Sequence, residues 1–221
     1  MTTVKNIMKR LAQGQLKNTS AVEDAQSGEI CEEYKDVVIG LLNQGLTDIS
    51  SRMPIITQYV DLTFVPGQNV YPLVSGAAYL DDSGLSPFTG DFVRVLDVFD
   101  AEGRTHDVDT NGHIMTPSYD TLRFTSAKMT ELGQKVRIRY QAKHPEVGET
   151  DVIKIPPNLE AALQLFVASL YISHMNGQEH SQKGDAYFGA YLRHMGEDET
   201  RNTSNVSEVQ EDTRFEDRGF A

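Results

Sequence analysis

The stretch Lys135-Val-Arg-Ile-Arg-Tyr-Gln-Ala142, "KVRIRYQA", decides the fold class. Val136, Ile138 and Tyr140 alternate with Arg137 and Arg139, a period of two that puts the apolar side chains on one face of a strand and both guanidinium groups on the other. The same period recurs upstream in "TQYVDLTFV" (57–65), "DFVRVLDVF" (91–99), "GHIMT" (112–116) and "TLRFT" (121–125). Pro66-Gly67, Asp81-Asp-Ser-Gly84, Glu102-Gly103 and Asn111-Gly112 separate these runs as turn signals, and "DAEGR" (100–104) reads as a hairpin link. Residues 55–142 are therefore expected to form a small antiparallel sheet or barrel.

On both sides of this region the period changes to that of a helix. Val4, Ile7, Met8 and Leu11 mark a short N-terminal helix, followed by a polar loop to Ser27. Ile30, Tyr34, Val37, Val38, Leu41, Leu42 and Ile49 share a face from 28 to 52, with Ser27 at the N-cap position and Pro54 as the stop. Pro156-Pro157 open a helix over 157–176 whose face carries Leu159, Leu163, Phe166, Val167, Leu170 and His174, with Glu160 near its positive end. A last helix over 181–195 has Ala186, Tyr187, Ala190, Tyr191 and His194 on one stripe and Phe188, Leu192 and Met195 beside it, wide enough to face two neighbours. The expected fold is α+β: a helical bundle of about four helices with an inserted small antiparallel β region and an extended C-terminal arm. The expected organisation is 1–27 as helix and loop, 28–195 as the main domain and 196–221 as the arm.

A formal net charge of -12 opposes a general nucleic-acid-coating role, because sequence-independent affinity comes from Lys and Arg neutralising phosphates. The lone cysteine, Cys31, excludes an intramolecular disulfide. The N-terminus lacks a signal-type apolar core, and no run reaches the ~20 apolar residues of a membrane span, so a cytosol-like compartment is expected. The sequons at Asn18, Asn202 and Asn205 are then chance occurrences.

Asp107-Val-Asp-Thr-Asn-Gly112 matches the first half of a calcium-binding loop, but Ser118 stands where a bidentate Glu is needed, so a polar turn is the better reading. None of the six histidines has zinc-site spacing, and His174 and His194 lie on apolar helix faces where a hydrogen-bonded core histidine is expected. Ser75-Gly76 and Ser83-Gly84 lack a nucleophile elbow, and no phosphate-binding glycine loop occurs. The chain is expected to have no catalytic, metal or cofactor site. Arg137 and Arg139, extended by Lys143, form a basic strip whose ordinary meaning is a solvated face or one paired to acidic neighbours.

Residues 196–221 carry eight acidic and three basic side chains and no periodicity, so alone they cannot offset ordering costs of ~1 to 2 kcal/mol per residue. The end of this segment, "EDTRFEDRGFA" (211–221), nonetheless holds Phe215 and Phe220 beside Arg214 and Arg218.

The order of the segments resembles the head-to-tail adaptor (connector) proteins of short-tailed bacteriophages. The residues that carry the likeness are "LLNQGLTDISSRMPIITQYVDLTFVPGQNVYPL", "DFVRVLDVFDAEGR", "VRIRYQAKHPEV", "IPPNLEAALQLFVASLYISHMNG" and "AYFGAYLRHM", within about Gly28 to Met195. The likeness is one of layout and phrases, without an invariant catalytic signature. It implies a virion protein assembled in the host cytoplasm as a ring of twelve copies. That ring would seat on the portal protein, meet a tail tube or nozzle protein, and let double-stranded DNA pass without sequence-specific contact. In such a ring Leu163, Phe166, Leu170, Tyr187 and Tyr191 are expected to pack between subunits, while Arg214, Phe215, Arg218 and Phe220 dock on the portal. The competing expectation is a non-catalytic, β-rich ligand- or protein-binding module. The absence of tryptophan counts against sugar binding there, although Tyr59, Tyr71, Tyr79 and Tyr119 supply other aromatic faces.

Overall fold

The computed structural model describes residues 2–22, 28–81, 88–175 and 177–201. A two-residue strand, β1 (Thr2–Thr3), leads into α1 (Val4–Gln13), whose first turn is capped by Thr3 Oγ1 accepting the Asn6 N–H at 3.3 Å. Val4, Ile7, Met8 and Leu11 are all buried, as their spacing requires. The long helix α2 (Glu32–Arg52) begins four residues later than the expected 28. Gly28 is left-handed at φ +62°, Ile30 is buried, and the Cys31 N–H bonds the Ala21 carbonyl at 2.8 Å, so these residues pin the chain to the preceding turn. Ser27, the expected cap, lies outside the described residues. The helix stops at Met53, held extended by Pro54.

The strands follow as β2 (Ile56–Thr63), β3 (Val70–Pro72), β4 (Leu80–Asp81), β5 (Phe92–Phe99), β6 (Thr105–His106), β7 (Ile114–Ser118) and β8 (Thr121–Phe124). A seven-residue helix, α3 (Ser126–Leu132), comes next, capped by Thr125 Oγ1 on the Lys128 N–H. The chain then forms β9 (Lys135–Ala142), β10 (Val152–Ile153), α4 (Pro157–Ser173) and α5 (Gln178–Arg201). Pairing is antiparallel throughout: five strands in the order β4-β2-β9-β5-β6, three in the order β3-β8-β7, and β1 with β10. β5 meets β9 with two register shifts, at Phe92/Arg94 and Val95/Asp97, and β6 covers only Val98 and Phe99 on its other side.

Two hydrophobic cores result. One joins α1, α2, α4 and α5; the other lies between the five- and three-stranded sheets and holds Val60, Leu62, Tyr71, Phe92, Phe124, Val136, Ile138 and Tyr140. The expected helical bundle with a small β insertion is thus wrong. The described residues form five helices and about ten strands in three antiparallel sheets, a β-rich α+β fold. The physical reason is the second core: strands that bury their own apolar face against another sheet need no bundle to cover them. The arm does not begin at 196 either, because α5 continues to Arg201. Adding residues to an existing helix avoids the cost of nucleation, so the polar stretch after Gly196 is carried along.

α4 and α5 pack as an antiparallel pair. At Gly184 a Cβ would stand 3.0 Å from the Ser169 carbonyl oxygen and 2.1 Å from Ser173 Oγ, so only glycine permits this approach. Gly189, one and a half turns on, faces open space. Gly184→Val is expected to lower stability by about 2 kcal/mol, whereas Gly189→Ala raises it by about 0.5 to 1 kcal/mol through helix propensity. Urea unfolding of both variants checks this; equal effects would contradict the close approach.

Candidate functional site

The outer side of the helical layer is built on the crossing of α2 over α4 and α5. Gly45 lets α2 close on Leu163 and Phe166, since a Cβ there would lie 2.6 and 2.9 Å from their side chains. Tyr191 of α5 stacks edge-on against Phe166 at 5.2 Å, its hydroxyl donates to Asp48, and the Arg52 guanidinium sits 5.9 Å above its ring. Arg52 Nε also donates to Asp48 at 2.9 Å. Burial, reinforced by the Asp48 carboxylate, pushes the Tyr191 hydroxyl pKa up, so it stays a protonated donor.

These contacts sort the residues expected to pack between subunits. Leu163, Phe166 and Tyr191 are buried inside the chain's own core, while Leu170 and Tyr187 are half-buried at its edge. What the layer presents instead is Phe188 and Leu192, one helical turn apart on α5 and 38% and 41% exposed. On α2 it presents Val37, which sequence periodicity had placed on the buried face. The signal for α2 lay in neighbours one turn away: Glu33 and Gly40 flank Val37 at helical spacing, whereas Val38, Leu42, Leu46 and Ile49 continue a stripe that is apolar throughout. Two hollows flank this surface. One, about 840 Å³, has Asn43, Thr47 and Asp48 on one wall and Phe166, Leu170 and His174 on the other. The second, about 540 Å³, lies between Val37 and Tyr171. Arg214, Phe215, Arg218 and Phe220 lie outside the described residues, as do the sequons at Asn202 and Asn205.

The sheet face confirms the alternation of β9 and neutralises its cations. Arg137 donates to both Asp61 carboxylate oxygens at 2.7 and 3.2 Å, Lys135 Nζ lies 3.0 Å from Asp61 and 3.2 Å from Asp81, and Arg139 Nε donates to Asp97 at 2.6 Å. Cations engaged in this way are poor anchors for phosphate. The Asp107–Gly112 loop is organised by Asp109, whose backbone has φ +60° and whose carboxylate accepts the Thr116 N–H at 2.7 Å. Asp100 closes the next hairpin by accepting the N–H groups of Glu102 and Arg104, both at 2.9 Å, and the Arg104 bond leads in holding its pKa below the usual range.

The histidines differ from expectation. His174 and His194 are exposed, and the buried one is His144, 2% exposed, at the join between sheet and helices. Its Nε2 accepts the Lys154 N–H at 3.2 Å, which leaves Nδ1–H to donate to the Pro145 carbonyl at 2.7 Å. Burial pushes its pKa down, so it serves as a neutral strut. Among the described residues no three histidine, cysteine or acidic side chains converge on a point where a metal ion would sit. Among them, too, no helix is long and apolar enough to cross a membrane. No family model matches the chain, and no match is found among curated proteins.

Asp61 gives the ion-paired face a measurable signature. The Arg137 hydrogen bonds lead in lowering its pKa. A carboxyl with a depressed folded-state pKa contributes stability that is complete above its unfolded value and is lost as pH falls through the folded one. Arg137→Ala is therefore expected to raise the Asp61 pKa toward the ordinary carboxylate value, read by NMR titration, and to shift the acid loss of stability to higher pH. An unmoved titration would show that the pair does not hold in solution.

Proposed function

We propose that the chain is a non-catalytic structural subunit of a ring that joins the portal of a viral capsid to the tail and surrounds the DNA channel. The observation that carries this reading is the exposed apolar ridge of Phe188 and Leu192 on α5, a helix whose inner side is already engaged, together with exposed Val37 on α2. A closed ring needs two different patches per subunit, one to give and one to receive, and these lie on separate helices. The order of segments shared with phage adaptors supplies the context: twelve copies, a portal above and a tail tube or nozzle protein below.

The charge balance supports the same role. A channel that lets double-stranded DNA slide is better lined by acidic side chains than by free cations, and here the strip of β9 is already paired with Asp61, Asp81 and Asp97. The C-terminal segment docks on the portal through Arg214, Phe215, Arg218 and Phe220. Burying one Phe is worth roughly 1.5 to 3 kcal/mol, and repetition around a ring turns such weak contacts into a lasting joint.

Size-exclusion chromatography and negative-stain microscopy of the chain alone and with the portal are expected to show rings in at least the second case. Phe188→Asp with Leu192→Asp is expected to abolish them while the chain still unfolds in a cooperative transition. A parent chain that stays monomeric in both conditions overturns the proposal. A monomer that also binds a saturable ligand points to the binding module, for which the exposed Tyr59 beside Phe99, 6.4 Å between rings, offers an aromatic face. Deletion of Thr213 to Ala221 is expected to reduce recovery of ring-on-portal complexes several-fold; unchanged recovery removes the docking role of that segment.

A further inference from the structure

We infer that the hollow between the N-terminal half of α2 and the C-terminal end of α4 is a dock for this chain's own residues 214–220. The hollow, about 540 Å³, is lined by Tyr34, Val37 and Leu41 of α2, by Tyr171, His174 and Met175 at the end of α4, and by Ser20. Its floor is built: Tyr34 meets Tyr171 edge-on at 6.2 Å, and the Ser20 and Tyr171 hydroxyls are 3.2 Å apart. Its lip is open, since Val37 is 51% exposed. An aromatic-floored hollow with an uncovered aliphatic lip suits a planar apolar side chain.

Charge selects which one. Glu33 and Asp36 are exposed on the same turn of α2 as Val37. Lys35, the cation between them, is engaged by Glu32 and Glu149 at 2.7 and 3.1 Å. Acidic side chains on the helical turn beside an aromatic hollow suit an aromatic ring flanked by cations. "RFEDRGF" (214–220) supplies two, with Arg214 beside Phe215 and Arg218 two residues before Phe220, and these are the only cations after Arg201. The intervening Glu216 and Asp217 have Lys17, exposed three residues before Ser20, as a counter-charge.

The reach is sufficient within one molecule. α5 runs back along α4, so its 24 residues carry the chain end about 36 Å away from the hollow at ~1.5 Å per residue. Phe215 lies 14 residues past Arg201 and spans up to ~46 Å when extended. The segment therefore returns along α5 to the hollow in cis, and a ring partner has to draw it out. Only this release rests on the proposed function; the dock itself does not.

The test uses the full chain without any partner. A nitroxide on Cys31, the sole cysteine, whose Sγ is 3.8 Å from the Ser20 carbonyl oxygen, is expected to broaden the NMR amide signals of residues 213–220 several-fold. The broadening is expected to survive dilution and to vanish in Val37→Lys and in Phe215→Ala, and the exposure of Val37 keeps the first variant folded. Without a label, trypsin is expected to cut after Arg214 several-fold more slowly in the parent than in Val37→Lys. Sharp signals together with equal cleavage rates overturn the dock. Broadening that appears only when nitroxide and isotope are on different molecules overturns its cis geometry. Because no portal is present, these outcomes are independent of whether ring-on-portal assembly succeeds.

Discussion

The structure depends on one buried amide. Gln141, with no exposed surface, donates through Nε2 to the backbone carbonyls of Ser50 and Met53 at the end of α2, and its Oε1 accepts from Arg94 Nε at 2.7 Å. Tyr140 and Ala142, on either side of it in β9, belong to the sheet core, whereas Gln141 alternates to the opposite face and meets the end of α2. The last carbonyls of a helix have no partner within the helix and carry its negative end, so a buried donor set at that point satisfies what a hydrophobic contact would leave unmet. His144 repeats the arrangement three residues on, holding Lys154 and Pro145 together by its two ring nitrogens. These buried hydrogen bonds fix where β9 meets the end of α2, although the Ser50 hydroxyl beside them is buried without a partner among the described residues.

Much of this was readable from the residues. The alternation of Val136, Ile138 and Tyr140 with Arg137 and Arg139 gave strand and face together, because a period of two leaves no other arrangement once one face is buried, while the choice between a solvated and a paired basic strip needed the neighbouring strands. The prolines before α4 were equally direct, but the turn after it was not: α4 stops at Ser173, short of the expected 176, and α5 starts at Gln178, ahead of the expected 181. The balance between the layers was not. Whether strands cover a bundle or one another depends on which non-adjacent runs meet, and nothing local in "TQYVDLTFV" says that its Phe64 will pack edge-on against Phe124 of another sheet. The short helix α3 was missed for a related reason: seven residues are too few to show a period, although Thr125 before Ser126-Ala-Lys is a capping signal.

For the candidate site the failure has a different cause. Leu163, Phe166 and Tyr191 are large and apolar on helical stripes, and size and spacing cannot tell a contact within the chain from one between chains. Tyr191 in particular reaches Asp48 and Arg52 across 143 and 139 positions of sequence, a meeting visible only in three dimensions. The residues left outside, Phe188 and Leu192, lie on the same helix and differ only by a rotation about its axis.

The two irregularities in β5 have a consequence for the protein at high concentration. Among the described residues no strand pairs with Phe92 to Asp97 on the side where β6 stops, and a straight rim of that length would invite another molecule's strand. Each extra residue kinks and coils the rim, so its donors and acceptors lose the even spacing that a foreign strand needs. A rim shaped in this way is a poor template for strand addition.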